Sequence, residues 1–226
     1  MGTASERSKT LEILRTLRRR YPAPIQPRSG KITNHLGAVI VGRDSDPVSA
    51  YRACERLMAE FVDWNEIRVA RCGEIERLLR PYVGERRAGE VARRLVYCLQ
   101  QIFEGRGDLN LDGLAKTSPA EARKFLLALD CIDRDEANLV LLLGLGDPVM
   151  PVDGDVLRAG KRLGMISNSA TKLQAQRALE TTLEGEDLHA CYVALREHAR
   201  RVCFAESPSC RECPVARSCR YGRKAH

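Results

Sequence analysis

The sequence predicts an all-α fold, and three observations carry that prediction. No stretch alternates apolar and polar residues with the period of two that a half-buried strand requires. Apolar residues recur instead at helical spacing, in segments separated by glycine, proline and aspartate turn signals. Aromatic residues make up only 5% of the chain, whereas sheet-rich folds are enriched in them. At 226 residues the chain is long enough to bury its own core, as one large domain or two smaller ones.

Taken in order, the first helix is signalled by Leu11, Leu14 and Leu17 on one face, with Thr10 as its cap. It ends before a linker at 21–27 that holds Pro22, Pro24 and Pro27. Helices follow at about 34–42, 47–62, 66–80, 85–104, 119–128 and 135–145, broken by turn signals such as "GRDSDP", "RPYVG" and "GRGD". The run "LGLGD" at 143–147 mimics a glycine-rich hairpin loop, but Pro148 follows, so it reads as a helix C-terminus. Beyond "GDPVMPVDGD", further helices are expected near 154–163, 170–180 and 186–202, followed by a cysteine-rich tail.

Hydrophobic residues at 44% and charged ones at 30% describe an ordinary globular chain, which excludes disordered and fibrous classes. The longest apolar run, Leu139 to Leu145, is too short to span a bilayer, and "MGTASERSKT" lacks the apolar centre of a signal peptide. The expectation is a soluble, cytoplasmic protein with no membrane partner, and with no coiled-coil pattern, a monomer. Lys and Arg number 37 against 30 Asp and Glu, a net charge of +7 that favours an acidic partner such as nucleic acid.

Nine cysteines, an odd count without a secretory signal, are expected to be reduced or metal-bound rather than paired. Cys54, Cys72, Cys98, Cys131 and Cys191 are scattered singly and read as small buried hydrophobes. Cys203, Cys210, Cys213 and Cys219 stand apart: four thiols within seventeen residues, spaced x6, x2 and x5, can close around one metal centre. Zinc is one occupant, but structural zinc prefers two short-spaced pairs and only Cys210 and Cys213 make one. The wider gaps suit a [4Fe–4S] cubane.

This spacing resembles that of the endonuclease III and adenine-glycosylase branch of the helix-hairpin-helix (HhH-GPD) DNA glycosylases. "DLHACYVALREHARRVC" at 187–203 is similar to the helix leading into that family's cluster, and "PVDGDVLRAGKRLG" at 151–164 to its motif around the catalytic aspartate. "HLGAVIVGRDSDP" at 35–47 resembles an early family helix and its loop, so that the likeness runs from about residue 8 to 222. The resemblance implies a two-lobed fold. A six-helix barrel would span 33–147, with a degenerate helix-hairpin-helix at 119–145. An iron–sulfur domain would join 1–32 to 148–226, with its cluster loop at 203–219. It also implies a [4Fe–4S] cofactor and double-stranded DNA as partner.

Residue by residue, Asp153 falls on the family's aspartate, in Val152-Asp153-Gly154-Asp155 where the usual form is Val-Asp-Thr-His. A carboxylate there would stabilise positive charge on a sugar, or activate water, as a flipped base leaves. The plainer role is capping of the helix that follows, and one residue can do both. The family's Leu-Pro-Gly-Val-Gly hairpin is here Leu129-Asp130-Cys131-Ile132-Asp133, with both glycines replaced. Asp135 stands where members with lyase activity carry a lysine nucleophile, so a β-lyase step is not expected. Arg43 takes the place of a glutamine that fills the gap left by a flipped base, the other reading being a salt bridge to Asp44 or Asp46. Val83 falls on a wedge position. Arg86, Arg87, Arg158 and Lys161 are candidates for DNA contact, with a solvated helix start as the plainer reading of the first two. Arg211, Arg217 and Arg220 surround the cysteines and are further phosphate candidates. Two functions are expected on this basis: a monofunctional DNA N-glycosylase of base-excision repair, or a catalytically inactive iron–sulfur member of the fold that binds DNA or a protein.

Overall fold

The computed structural model describes residues 4–23, 31–43, 45, 47–184 and 187–224. Among them are eleven α-helices and no strand, so the all-α expectation holds. The chain divides into two compact units, one of residues 26–147 and one joining 1–25 to 148–226. Among the described residues no helix is long and apolar enough to cross a membrane.

The unit of 26–147 holds α2 (Ile32–Val41), α3 (Pro47–Glu60), α4 (Trp64–Val69), α5 (Cys72–Val83), α6 (Glu85–Arg106), α7 (Pro119–Leu127) and α8 (Arg134–Val140). Helix α2 is apolar nearly all round and therefore central, with α3, α6 and α8 packed against it. Gly37 of α2 lies so close to the Trp64 ring that a Cβ there would meet it at 2.3 Å, and the indole N–H donates to Asn34 Oδ1 at 2.7 Å. The single helix expected at 66–80 is two. Asp63 accepts the Glu66 N–H at 2.8 Å and starts α4 early, while Ala70 and Arg71 adopt extended backbone, with ψ of 158° and 130°. Helix α5 then continues through Pro81 rather than stopping before it, because Ile75, Leu78, Leu79 and Val83 bury one face and α5 pairs with α6. It ends at Gly84, whose φ of 84° favours glycine. Helix α8 continues into a π-helical turn, Leu141–Leu145, closed by left-handed Gly146, so "LGLGD" is a helix end.

In the other unit, α11 (Leu188–Arg201) is largely buried and packs on α1 (Ala4–Arg20) and α9 (Gly154–Leu163), with α10 (Lys172–Thr182) between α9 and α11 in sequence. Helix α1 starts well before Thr10, which is a buried position inside it rather than a cap. The start expected for α11 at 186 and the linker positions 24–27 lie outside the described residues.

Candidate metal centre and nucleic-acid interface

Cys203 follows the last turn of α11, where its N–H donates to His198 O at 2.9 Å. The chain bends at Ser207, a non-glycine residue with φ of 49°, and returns so that the Ser209 N–H meets Val202 O at 2.9 Å. A short 3-10 turn, Cys210–Glu212, follows, and Cys219 closes the loop. Cys203, Cys210, Cys213 and Cys219 thereby line one small pocket with His198 and Tyr221, and none of the other five cysteines lines it.

Donors point at these sulfurs. The Gly222 N–H reaches Cys219 Sγ at 3.4 Å and Arg162 Nη1 reaches Cys203 Sγ at 3.5 Å. His198 Nε2 stands 3.9 Å from Cys213 Sγ, and burial pushes that imidazole's pKa down to about 4. N–H groups aimed at sulfur suit thiolate, the form that binds metal. Burial, then the neighbouring thiols, raise the pKa of Cys210; Cys213 is raised chiefly by burial. Among the described residues no three His, Cys, Asp or Glu side chains converge as a single ion would need. Four cysteines on the wall of one pocket form a donor set that a metal centre of the kind expected from the sequence would take.

Arg162, in the last turn of α9, ties that helix to the loop. It donates to Phe204 O at 2.5 Å and Ala205 O at 2.8 Å and lies over the Tyr221 ring, while its own carbonyl accepts the Tyr221 N–H at 2.9 Å.

Asp153 is the N-cap of α9, as its place in the sequence implied. Its Oδ1 accepts the Val156 N–H at 2.8 Å. Its Oδ2 accepts the Tyr192 hydroxyl at 3.2 Å and lies 3.4 Å from Arg196 Nε. Arg196 is 6% exposed at its side chain and Asp153 28%, so the carboxylate stands at the edge of a buried pair with one side open. Burial and the Asp153 charge push the Tyr192 hydroxyl far above its ordinary pKa, so it stays a donor. Asp155 bridges Arg158 Nη2 and Arg200 Nε, both at 2.8 Å. Burial pushes its carboxyl up, but the hydrogen bonds and charges of the two arginines outweigh that and hold it below the usual range. Arg158, a candidate for phosphate contact, is spent inside its unit: beyond Asp155 it donates to Ala199 O at 3.0 Å and Cys203 O at 3.1 Å. Ala199 lies in the last turn of α11 and Cys203 just beyond it, where carbonyls lack helical partners and a cationic donor is favourable.

In the other unit, α7 and α8 form the two arms of a helical hairpin with the loop 128–133 between them. Two amides at the junction of loop and helix are satisfied within the hairpin. Glu136 N–H donates to Asp133 Oδ1 at 2.9 Å and Asp133 N–H to Glu136 Oε2 at 3.0 Å, a capping box built of two acids. Arg43 pairs with Asp133 and lies 3.4 Å from Glu136 Oε1, partners that the sequence did not suggest. Asp44 and Asp46, the partners considered from sequence, lie outside the described residues. From α6, Arg94 reaches Glu136 Oε2 at 2.5 Å and Cys131 O at 2.6 Å, nearly buried. Asp133 is held below the usual carboxylate range: burial raises it, and the Glu136 amide and Arg43 more than offset this.

Arg86 is exposed and Arg87 half-buried at the start of α6, where Arg87 Nη1 approaches Ser45 Oγ at 3.5 Å. Val83 is 7% exposed and belongs to the core, which removes it as a wedge. Lys161 is half-buried in the last turn of α9, and Arg211, Arg217 and Arg220 are exposed. Sequence reasoning missed Tyr192, Arg196 and Arg200. Their spacing of four along α11 was the available signal, a polar row on an otherwise apolar helix.

No family model matches the chain. It is 34% identical to endonuclease III of Bacillus subtilis over 102 residues, 45% of this chain and 47% of that one. Endonuclease III of Rickettsia felis is 33% identical over 43% of this chain and 46% of its own. Arabidopsis thaliana DNA glycosylase/AP lyase ROS1 is 23% identical over 79% of this chain and 14% of its own length. The matches to the curated endonuclease III relatives thus span about half of their length. Among solved structures, a non-covalent endonuclease III–DNA complex superposes with a TM-score of 0.75 at 21% identity, covering 100% of this chain and 99% of that one. A thermostable thymine-DNA glycosylase gives 0.71 at 16% identity, covering 98% and 100%. The chain has the fold of the helix-hairpin-helix DNA glycosylases, and a little under half of it is similar in sequence to endonuclease III.

Proposed function

We propose that this protein is a monofunctional DNA N-glycosylase of base-excision repair, acting on a damaged or mismatched base in double-stranded DNA. The observation that carries this is Asp153, fixed at the head of α9 with one side open. A carboxylate has about four lone-pair sites. Three face Val156 N–H, Tyr192 O–H and Arg196, which leaves one on Oδ1 for a water or for the sugar. As the glycosidic bond stretches, positive charge gathers on the sugar ring, and a pre-oriented carboxylate offsets it without reorganising. Water then adds to the anomeric carbon, giving up its proton, and the base departs protonated.

The absence of a lysine at position 135 supports hydrolysis without strand cleavage, since Asp135 has no amine to form a Schiff base. Borohydride should trap no covalent adduct. Arg43, Arg86, Arg87 and Lys161 are assigned to DNA, and Arg158 to the scaffold. Cys203, Cys210, Cys213 and Cys219 are proposed to hold a [4Fe–4S] cluster; once bound, it supplies four covalent anchors to the C-terminal loop rather than an open coordination site.

The test is an excision panel on duplexes carrying oxidised pyrimidine, uracil, mismatched adenine or alkylated purine, with alkali to reveal abasic sites. Excision lost by a factor of about 10²–10³ in Asp153→Asn, which preserves the cap, is the expected result. Excision at the wild-type rate by that variant would refute the role of Asp153. A second reading has its own observation: the acidic capping box closes the hairpin amides, so a DNA-binding member without activity is favoured if the panel gives binding and no excision.

A further inference from the structure

Beside the closed hairpin lies an open depression on its outer face, lined by Ala120, Arg123, Lys124, Leu127, Ala128 and Arg134. It contains three cations and no acid. Lys124, Leu127, Ala128 and Arg134 are exposed. Asp147 lies near Arg123 and takes up part of its charge, which leaves Lys124 and Arg134 as the main field. The nearby loop acids are occupied elsewhere: Asp133 by Arg43 and Asp130 by Gln101, whose Nε2 donates to it at 3.2 Å.

We infer that this depression, through the side chains of Lys124 and Arg134, is where the hairpin grips the DNA backbone. The inference rests on the DNA-binding reading above and adds the element that supplies the contact. A glycine hairpin offers backbone amides to a phosphate, and here the Asp133 and Glu136 amides are consumed by each other's carboxylates. A phosphate approaching that face would meet two acids, whereas one approaching the outer face meets two cations flanking apolar Leu127, Ala120 and Ala128. Phosphates alternating with sugars match that composition, phosphate to cation and sugar to the apolar floor.

The test uses the full chain, prepared anaerobically, and a fluorescein-labelled duplex carrying a tetrahydrofuran abasic analogue, with the affinity measured across a salt series. Lys124→Gln/Arg134→Gln alters two exposed residues and leaves the core untouched. The expected result is a salt slope lowered by about 2 and binding weakened on the order of tens-fold at 0.1 M salt. Arg15→Gln/Arg19→Gln, the same charge change on exposed positions of α1, sets the effect of bulk charge that the first variant must exceed. A groove variant with the wild-type slope, or no weaker than the α1 variant, overturns the inference and leaves DNA binding standing. A groove variant that keeps its DNA slope and instead loses affinity for polyglutamate also overturns it, and assigns the face to an acidic polypeptide. Absence of duplex binding by the wild-type protein overturns the DNA-binding reading and this inference together.

Discussion

Arg94→Met should destabilise the hairpin's unit far more than Arg43→Ala, although both arginines pair with the same acid. Arg94 is 16% exposed and Glu136 8%, and the guanidinium also serves Cys131 O through Nε at 3.1 Å and Nη2 at 2.6 Å. Breaking a buried pair by removing one partner costs about 3–5 kcal/mol. Stranding a buried carbonyl adds about 1–3 kcal/mol. Two features reduce the sum: Arg43 still lies 3.4 Å from Glu136, and the methionine fills part of the vacated volume. A loss of about 3–4 kcal/mol is therefore expected. Arg43 and Asp133 are each 45% exposed, so Arg43→Ala should cost only about 0–1 kcal/mol. Trp64 is the one tryptophan of the chain, is buried, and belongs to this unit. Its fluorescence in a urea titration reports unfolding of this unit directly. Glu136→Gln is the internal control, because glutamine can still close the capping box while losing its charge toward Arg94. If Arg94→Met shifts the midpoint no more than Arg43→Ala does, the hairpin is not held from within, and the ranking of the two arginines is wrong.

Cys213→Ser should abolish the yellow-brown chromophore and the bound iron and sulfide, measured by absorbance and elemental analysis; stoichiometric zinc in the wild-type protein would replace the cubane with a single ion. Asp155 has a depressed folded pKa, so its contribution to stability is present above the unfolded value of about 3.9 and is lost as pH falls through the lower, folded value. An acid titration should show that loss below about pH 4, and Asp155→Asn should flatten it; an unchanged profile would place the acid sensitivity elsewhere. Asp133→Asn keeps a good N-cap while releasing Arg43, so it should tighten binding to duplex DNA several-fold at low salt, and weaker binding would count against Arg43 as a DNA contact.

Local signals were legible in the sequence. Helix α9 falls at 154–163 as expected, because an aspartate cap precedes it and Gly164, with φ of 84°, follows. The four-cysteine pocket was also legible, since its members lie within seventeen residues of one another. The break at Ala70 and Arg71 was not, for neither residue is a turn former, yet both take up extended backbone. Pro81 misled in the opposite direction, because pairing along α6 carries the helix past it. What Arg158 and Arg94 do could not be read from their neighbours: their partners lie 45 and 42 residues away. An arginine in a basic sequence looks like a phosphate ligand until the fold shows which carbonyls need a donor.

Two departures from the pattern of the family that the sequence resembles sit at the two ends of one ion pair. Arginine stands at 43 where the family carries glutamine, and aspartate at 133 where its hairpin carries glycine, and the fold joins them. Taken singly, the aspartate is a like charge placed toward phosphate and the arginine a bulky substitute for a gap-filling amide. Taken together, each supplies what the other lacks, because the guanidinium neutralises the acid and the acid gives the guanidinium a defined resting position. Since both ends are half-exposed, opening the pair costs only about 0–1 kcal/mol. On the DNA-binding reading proposed above, the pair would open for a phosphate and re-form without it. The hairpin's charge is thus a property of Arg43 as much as of its own acids, while the outer face carrying Lys124 and Arg134 is positive independently of that pair.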